Sequence, residues 1–545
     1  MFQCYLVKGI LCKWRGYRVF NIFCVMKKLI KIISIILICL CMAGIVSKPA
    51  EALRRNRNAK DLERLQRFVD LQIKRGARLY KNVNIDGSYR WDAYGNLIGI
   101  KWGYSNLTGS IKFPAFSKLK SVSIYDNPKL ESINLGKNKS LLELNCDSCG
   151  LDSINIKNCK NLEKLYIQYN KIKNLGLTNN TKLRELSVQQ NQLEKLDLSK
   201  NKHLLYINIS HNRLKKINIK NCKKTNKIDI SGNFYKKADL SENIQLEYIY
   251  CTESNIKKFD VRKNNLLKEL HIENGKIEKL LLGRKTQLEI IHCYSNRLSG
   301  LDIAGCTALL DLSCGGNELS AINIKSCLKL RELGCYNNNI SSLDLSNNNR
   351  LEVLSCSENL VEKLELGNLT ELKELYCDGN KLTKLDVTNQ RKLDFLYCSD
   401  NLLADLDISN NKALSALDCR KNKIKELDIS NCKILQGDYF LDFLYDPGVK
   451  IKKFFYPLKE VEQTSSKYLQ IFAACNAIYT FSIALIASLN QLLSSSSTFP
   501  ASLAAAIAGV IGIRPSTGRL YSAATSSRWL LPNISICSPQ QGHSI

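Results

Sequence analysis

The chemistry-bearing residues of this 545-residue chain recur at one interval. Cys146, Cys251, Cys293, Cys314, Cys335, Cys356, Cys377, Cys398 and Cys419 are separated by 21 residues or multiples of 21. A second set, Cys159, Cys222, Cys306, Cys327 and Cys432, shares another phase of the same period. Other copies place Ile or Val in the first phase and Asn in the second. A thiol that exchanges with Ile or Asn at fixed phase is a small buried residue, not a metal ligand. Cys146-Asp147-Ser148-Cys149 is a lone C-x-x-C whose two cysteines both fall on repeat positions, so a zinc site is not implied. His271 and His292 stand one period apart with Glu273 nearby, but two or three ligands on one sheet do not make a catalytic metal centre. No nucleophile elbow, phosphate loop or metalloprotease motif appears, so neither enzymatic activity nor a cofactor is expected.

The elements that carry these residues follow from the period. Leu372, Leu375, Cys377 and Asn380 are followed by Leu382, Leu385, Val387 and Gln390, and the same phrase restarts at Leu393. Copies begin at Leu97 and Leu119, then every 21 residues from Leu141 to Leu414. A fixed period of this length predicts a solenoid. Leu375-x-Cys377 alternates with period two, so it reads as a short strand with two side chains pointing inward. The Asn at the ninth position ends that strand, and its amide can bond backbone groups in neighbouring coils. The second half of each phrase echoes the first, which gives each coil a second strand-like segment on its other face.

The phrase L-x-x-L-x-[L/C]-x-x-N-x-L resembles the leucine-rich repeat family, in its short bacterial class. The resemblance implies a β-dominated solenoid of about 16 repeats over residues 97–433, with a parallel sheet on the concave face used to bind other molecules. Trp91-Asp92-Ala93-Tyr94-Gly95 likewise resembles the entry segment of many bacterial repeats. These features mark a secreted or cell-surface binding protein, adhesin- or receptor-like. Its expected ligand is an extracellular protein or glycan, and nucleic acid is not expected as a partner.

Candidate ligand-binding residues are the outward positions of the first strands. In phase run Tyr250, His271, His292, Ser313, Gly334, Ser355, Tyr376 and Tyr397, with Phe395 beside the last and Tyr294 and Tyr336 two residues beyond the strand phase. Small residues between aromatic walls predict a shallow trough, and exposed tyrosines are enriched at recognition surfaces. The other half of the coils carries an acidic column that includes Asp197, Asp239, Asp260, Asp302, Asp344, Glu365, Asp386, Asp407 and Asp428. Stacked like charges repel. Lys195, Lys237, Lys258, Lys363 and Lys384, two residues earlier, are expected to offset that repulsion.

The flanks differ from the repeats. The chain carries a formal net charge of +29, and the flanks hold much of it. Met26-Lys27-Lys28, the apolar run Ile32–Val46 and the small-x-small site Ala50-Glu51-Ala52 read as a signal peptide, with residues 1–25 an upstream extension. Residues 53–96 form a basic helical N-terminal cap, and its arginines are an alternative contact for an anionic cell-wall polymer. Residues 434–466 read as a C-terminal cap and linker, with Tyr439, Phe440, Phe443 and Phe454 covering the last coil. Residues 467–545 form a Ser/Ala-rich apolar tail. Within it, 469–489 is long enough to contact or cross a bilayer, and sequence not native to the protein is the other reading.

Overall fold

The apolar phase determines the interior. In the coil that starts at Leu372, the side chains of Leu372, Leu375, Cys377, Leu382 and Val387 are fully buried, and Leu385 nearly so. The computed structural model describes residues 57–84, 87–435 and 443–452. The chain divides into two units, 1–454 and 455–545, and every described residue lies in the first. The signal-peptide segment, the apolar tail, and Tyr439, Phe440 and Phe454 of the expected C-terminal cap lie outside the described residues.

The architecture is a leucine-rich repeat β-solenoid. One 18-stranded sheet collects the first strand of every coil. Its first pair, Tyr89–Trp91 with Leu97–Lys101, is antiparallel. From there the ladders are parallel, and from Glu143 as far as Asp418 the strands pair 21 positions apart, as Leu375 does with Leu396. The second face is strand-like, with short parallel ladders in three places. These are Thr108–Lys112 with Lys129–Asn134 and Ser153–Asn155, Lys258–Asp260 with Lys279–Leu281, and Glu426–Asp428 with Lys450–Lys452.

Where it is present, the ninth-position Asn fixes the turn; Cys149, Ser254 and Gly275 replace it in three coils. The Asn380 amide donates to the carbonyls of Cys356, Cys377 and Asp378 at 3.0, 3.1 and 3.2 Å. Its Oδ1 accepts the Val361 amide at 3.0 Å. One side chain therefore joins two coils and satisfies a buried N–H that has no strand partner. The residue just before it takes a left-handed conformation in coil after coil, as at Ser295, Asn337, Glu358 and Asp400, with φ between 50 and 54°.

The helix Ala59–Lys74 (α1) covers the first coil. Asn58 caps it by accepting the Lys60 and Asp61 amides at 3.1 and 3.2 Å. Phe68 packs on Trp102 and Phe113, with ring centroids 5.3 and 5.1 Å apart. Three arginines of this region hold it to the backbone: Arg57 donates to the Val83 carbonyl, Arg64 to Ala115 and Arg75 to Ser110, each at 3.0 Å. At the other end the pattern continues past its apparent decay. Phe443–Leu444 extends the main sheet beyond Ala416–Asp418, with Leu417 paired to Phe443. A longer connection displaces the phase there, which hides the added coil from a 21-residue reading.

Candidate ligand-binding face

Most first strands bury their middle residue and half-expose the residues on either side, as in Glu374-Leu375-Tyr376. Strict register then lines up the outward side chains of successive coils at about 4.8 Å intervals. His271 pairs with His292, His292 with Ser313, Ser313 with Gly334, Gly334 with Ser355, and Ser355 with Tyr376.

One wall is a continuous aromatic run. Tyr250 stacks on His271 with centroids 4.6 Å apart and planes 6° from parallel. His271 meets His292 edge-on at 4.8 Å, and Tyr294 lies 6.4 Å beyond His292. The opposite wall is Tyr376 and Tyr397, tilted at 5.3 Å, with Phe395 on the adjoining outward position. Between them Ser313, Gly334 and Ser355 form a low floor, and four strand intervals from His292 to Tyr376 give a width of about 19 Å. Tyr336 narrows this floor. Its ring lies over Gly315 so closely that a Cβ there would meet it at 2.6 Å.

Polar partners at the first outward position complete the site, and the sequence reading missed them. His292 Nε2 bonds Asp311 at 2.8 Å. That bond raises the pKa of His292, while burial followed by repulsion from His292 lowers that of His271. The hydroxyls of Tyr250 and Tyr376 donate to Glu269 and Glu374, each at 2.9 Å. Burial, followed by the Glu374 bond, pushes the Tyr376 hydroxyl up to about 12. His271 Nε2 lies 3.5 Å from the same Glu269 oxygen, a long ion-pair contact rather than a hydrogen bond. Lys227 sits 5.1 Å over the Tyr250 ring. The available signal was position: these groups stand one strand step before an aromatic, or one coil away from it. Glu332, raised by burial and by its acidic neighbours Asp311, Glu374 and Glu352, gives the floor an acidic edge.

The walls are aromatic, with the Tyr250 and His271 faces stacked on one another, and the edge presents carboxylates that accept hydrogen bonds. Nothing here forms a nucleophile–base pair. Among the described residues no three His, Cys, Asp or Glu side chains come together to hold a metal, and no helix is long and apolar enough to cross a membrane. The fifteen described cysteines are buried and free. Burial alone accounts for most of the rise in their pKa values, to about 11 at Cys222 and about 12 at Cys251.

The acidic column has another use than the one expected. Asp197, Asp239, Asp344 and Asp407 each accept the backbone amide two residues on, at 2.9 to 3.1 Å. They close the turns that follow the second strands. Bonds from the Ser241 and Ser346 side chains bring Asp239 and Asp344 down to about 2. Of the lysines two residues earlier, only Lys363 forms an ion pair with its acid, to Glu365 at 2.5 Å.

Solved structures share the fold. The functional domain of InlJ from Listeria monocytogenes, described as including a cysteine ladder, aligns with TM-score 0.52 and 24% identity over 62% of this chain and 71% of that one. A leucine-rich repeat protein from Leptospira interrogans aligns with TM-score 0.51 and 22% identity over 56% and 85%. One from Bacteroides eggerthii aligns with TM-score 0.54 and 13% identity over 72% and 96%. No protein-family model and no curated protein matches the chain.

Proposed function

We propose that this protein is a non-enzymatic, extracellular binding protein that recognises a protein or glycan ligand through the trough on its first-strand face. The observation that supports this most is the pairing of two half-exposed aromatic walls, Tyr250–His271–His292 and Tyr376–Tyr397, across a floor of Ser and Gly. Ring faces stack on sugar rings and on peptide side chains alike, and tyrosine does so at low entropic cost. The parallel sheet formed by the first strands and the signal-peptide reading of Met26–Ala52 agree with that role.

The test is a screen of the full secreted chain against glycan and peptide arrays, with hits titrated at low and high salt. A ligand of the trough holds its affinity as salt rises, because ring stacking is not screened. An array on which every hit vanishes at moderate salt speaks against the trough.

A further inference from the structure

The second face carries charge that the fold does not use. Lys195, Lys216, Lys237, Lys258 and Lys279 occupy one repeat position in five consecutive coils, and all are exposed. Lys258 and Lys279 are direct partners in the parallel ladder. Stacked at about 4.8 Å, such a row lies well within the Debye length of about 8–10 Å, so its members repel one another. Lys215, Lys236 and Lys257 broaden the row by a second column.

Neighbouring acids leave the row charged. None of the five ammonium groups makes an ion pair or side-chain hydrogen bond among the described residues, whereas Lys257 is held by Glu278 at 2.8 Å. Asp239 and Asp260 are taken up by their own turns and by Lys220 at 3.1 Å and Arg262 at 2.7 Å. The scaffold does not require lysine at this position, because the next three coils place Gly300, Ala321 and Ser342 there. Lysine returns at this position only at Lys363, which is paired with Glu365 at 2.5 Å, and Lys384, so the unbroken run of five is a local feature on the half of the coil opposite the trough.

We propose that this lysine row is a second binding surface, and that its partner is a linear anionic polysaccharide carrying sulfate or carboxylate groups. A straight row of point charges running along the solenoid axis over about 19 Å matches an extended polymer with closely repeated anions. Alternating aromatic platforms, which single-stranded nucleic acid uses for base stacking, are not present along it: Phe234 is the one exposed aromatic beside the lysine columns. The N-terminal helix is a weaker footprint, because Arg57, Arg64 and Arg75 are occupied by backbone carbonyls.

The experiment measures binding of the full chain to a size-defined heparin oligosaccharide, with neutral dextran and duplex DNA as comparison probes. The variant Lys216→Ser/Lys237→Ser/Lys258→Ser takes its replacement from the same position at Ser342. It should bind heparin roughly tenfold or more weakly, with a shallower dependence of log affinity on log salt, because fewer counterions are released. Its melting temperature should be equal or higher, since repelling charges have been removed. Lys363→Ser/Lys384→Ser, outside the row, and the trough variant Tyr376→Ala/Tyr397→Ala should bind heparin as the parent does. Unchanged affinity in the triple variant overturns the proposal. Binding of duplex DNA as tight as that of heparin overturns the choice of polysaccharide.

Discussion

The two halves of each coil solve the same problem with different strictness. In the first half the buried Asn uses both ends of its amide, as Asn380 does with four backbone groups, and the sheet beside it is continuous. In the second half Asn348 donates to Ile324 and Cys327 at 3.2 and 2.9 Å, while its Oδ1 has no partner among the described residues. That phase also accepts Cys222, whose thiol lies 3.7 and 3.8 Å from the equivalent carbonyls, and Leu369, which donates nothing. Even Lys285 is accommodated, its ammonium donating to the Arg262 carbonyl at 3.3 Å. Asn380 satisfies a backbone N–H whereas Asn348 serves only carbonyls, and an orphaned buried N–H is the costlier fault. The first half departs from Asn only at Cys149, Ser254 and Gly275 in the copies from Leu119 to Leu414, and the second half departs more often.

The sharpest break of this comparison is Asn380→Ala against Asn348→Ala. The first strands the Val361 amide and should cost about 3–5 kcal/mol in chemical denaturation, against about 1–2 kcal/mol for the second. Asn348→Cys should fall within about 1 kcal/mol of the parent, because a thiol donates to the same carbonyls. Equal losses at both asparagines would erase the distinction.

Cys377→Ser should cost about 1–3 kcal/mol, since the new hydroxyl enters a core position with no partner. Cys377 and its stacked neighbours are fully buried, and burial holds their thiols well above the usual pKa. Alkylation of the native chain should leave them unmodified and mass spectrometry should find them free. Disulfides between Cys293 and Cys419 would contradict a purely packing role.

A pH titration probes the trough wall. Asp311 raises the pKa of His292 in the folded state, so the stability it contributes is fully present below the unfolded value of about 6.5. It is lost as pH rises through the folded value. His271 is lowered, so protonating it as pH falls opposes folding. NMR should show His292 titrating above His271, and Asp311→Asn should close much of that gap.

The smallest effect belongs to the repeated left-handed turn. Glu358 sits at φ 54° where the next coil has Gly379 at φ 62°. Glu358→Gly relieves a steric cost of about 1–2 kcal/mol but loosens the unfolded chain, so a net gain of at most about 1 kcal/mol is expected in a thermal melt.

Much of this was legible in the sequence because the period repeats it. Leu372, Leu375 and Cys377 announce a strand and its inward side, and the ninth-position Asn announces the turn. The aromatic members of the trough were legible too, since phase alone brings Tyr250, His271 and His292 side by side. Their carboxylate partners were not, because Asp311 and Glu374 gain meaning only when register sets them beside a ring. The Asp column misled for a related reason. Charge counted along the chain suggested lysine neutralisation, whereas the local Asp-x-Ser spacing of Asp239 and Asp344 marked turns closed by side chain and backbone. The final coil was obscured by a change of spacing, not of chemistry.

The central claim is that recognition takes place on the first-strand face, and a paired calorimetric titration of an array-identified ligand tests it most directly. Tyr376→Ala/Tyr397→Ala should lose about 2–4 kcal/mol of affinity with little change in melting temperature. Asp302→Asn/Asp344→Asn, on the other half of the coils, should bind as the parent does. Retained affinity in the tyrosine pair together with loss in the aspartate pair would place recognition on the opposite face.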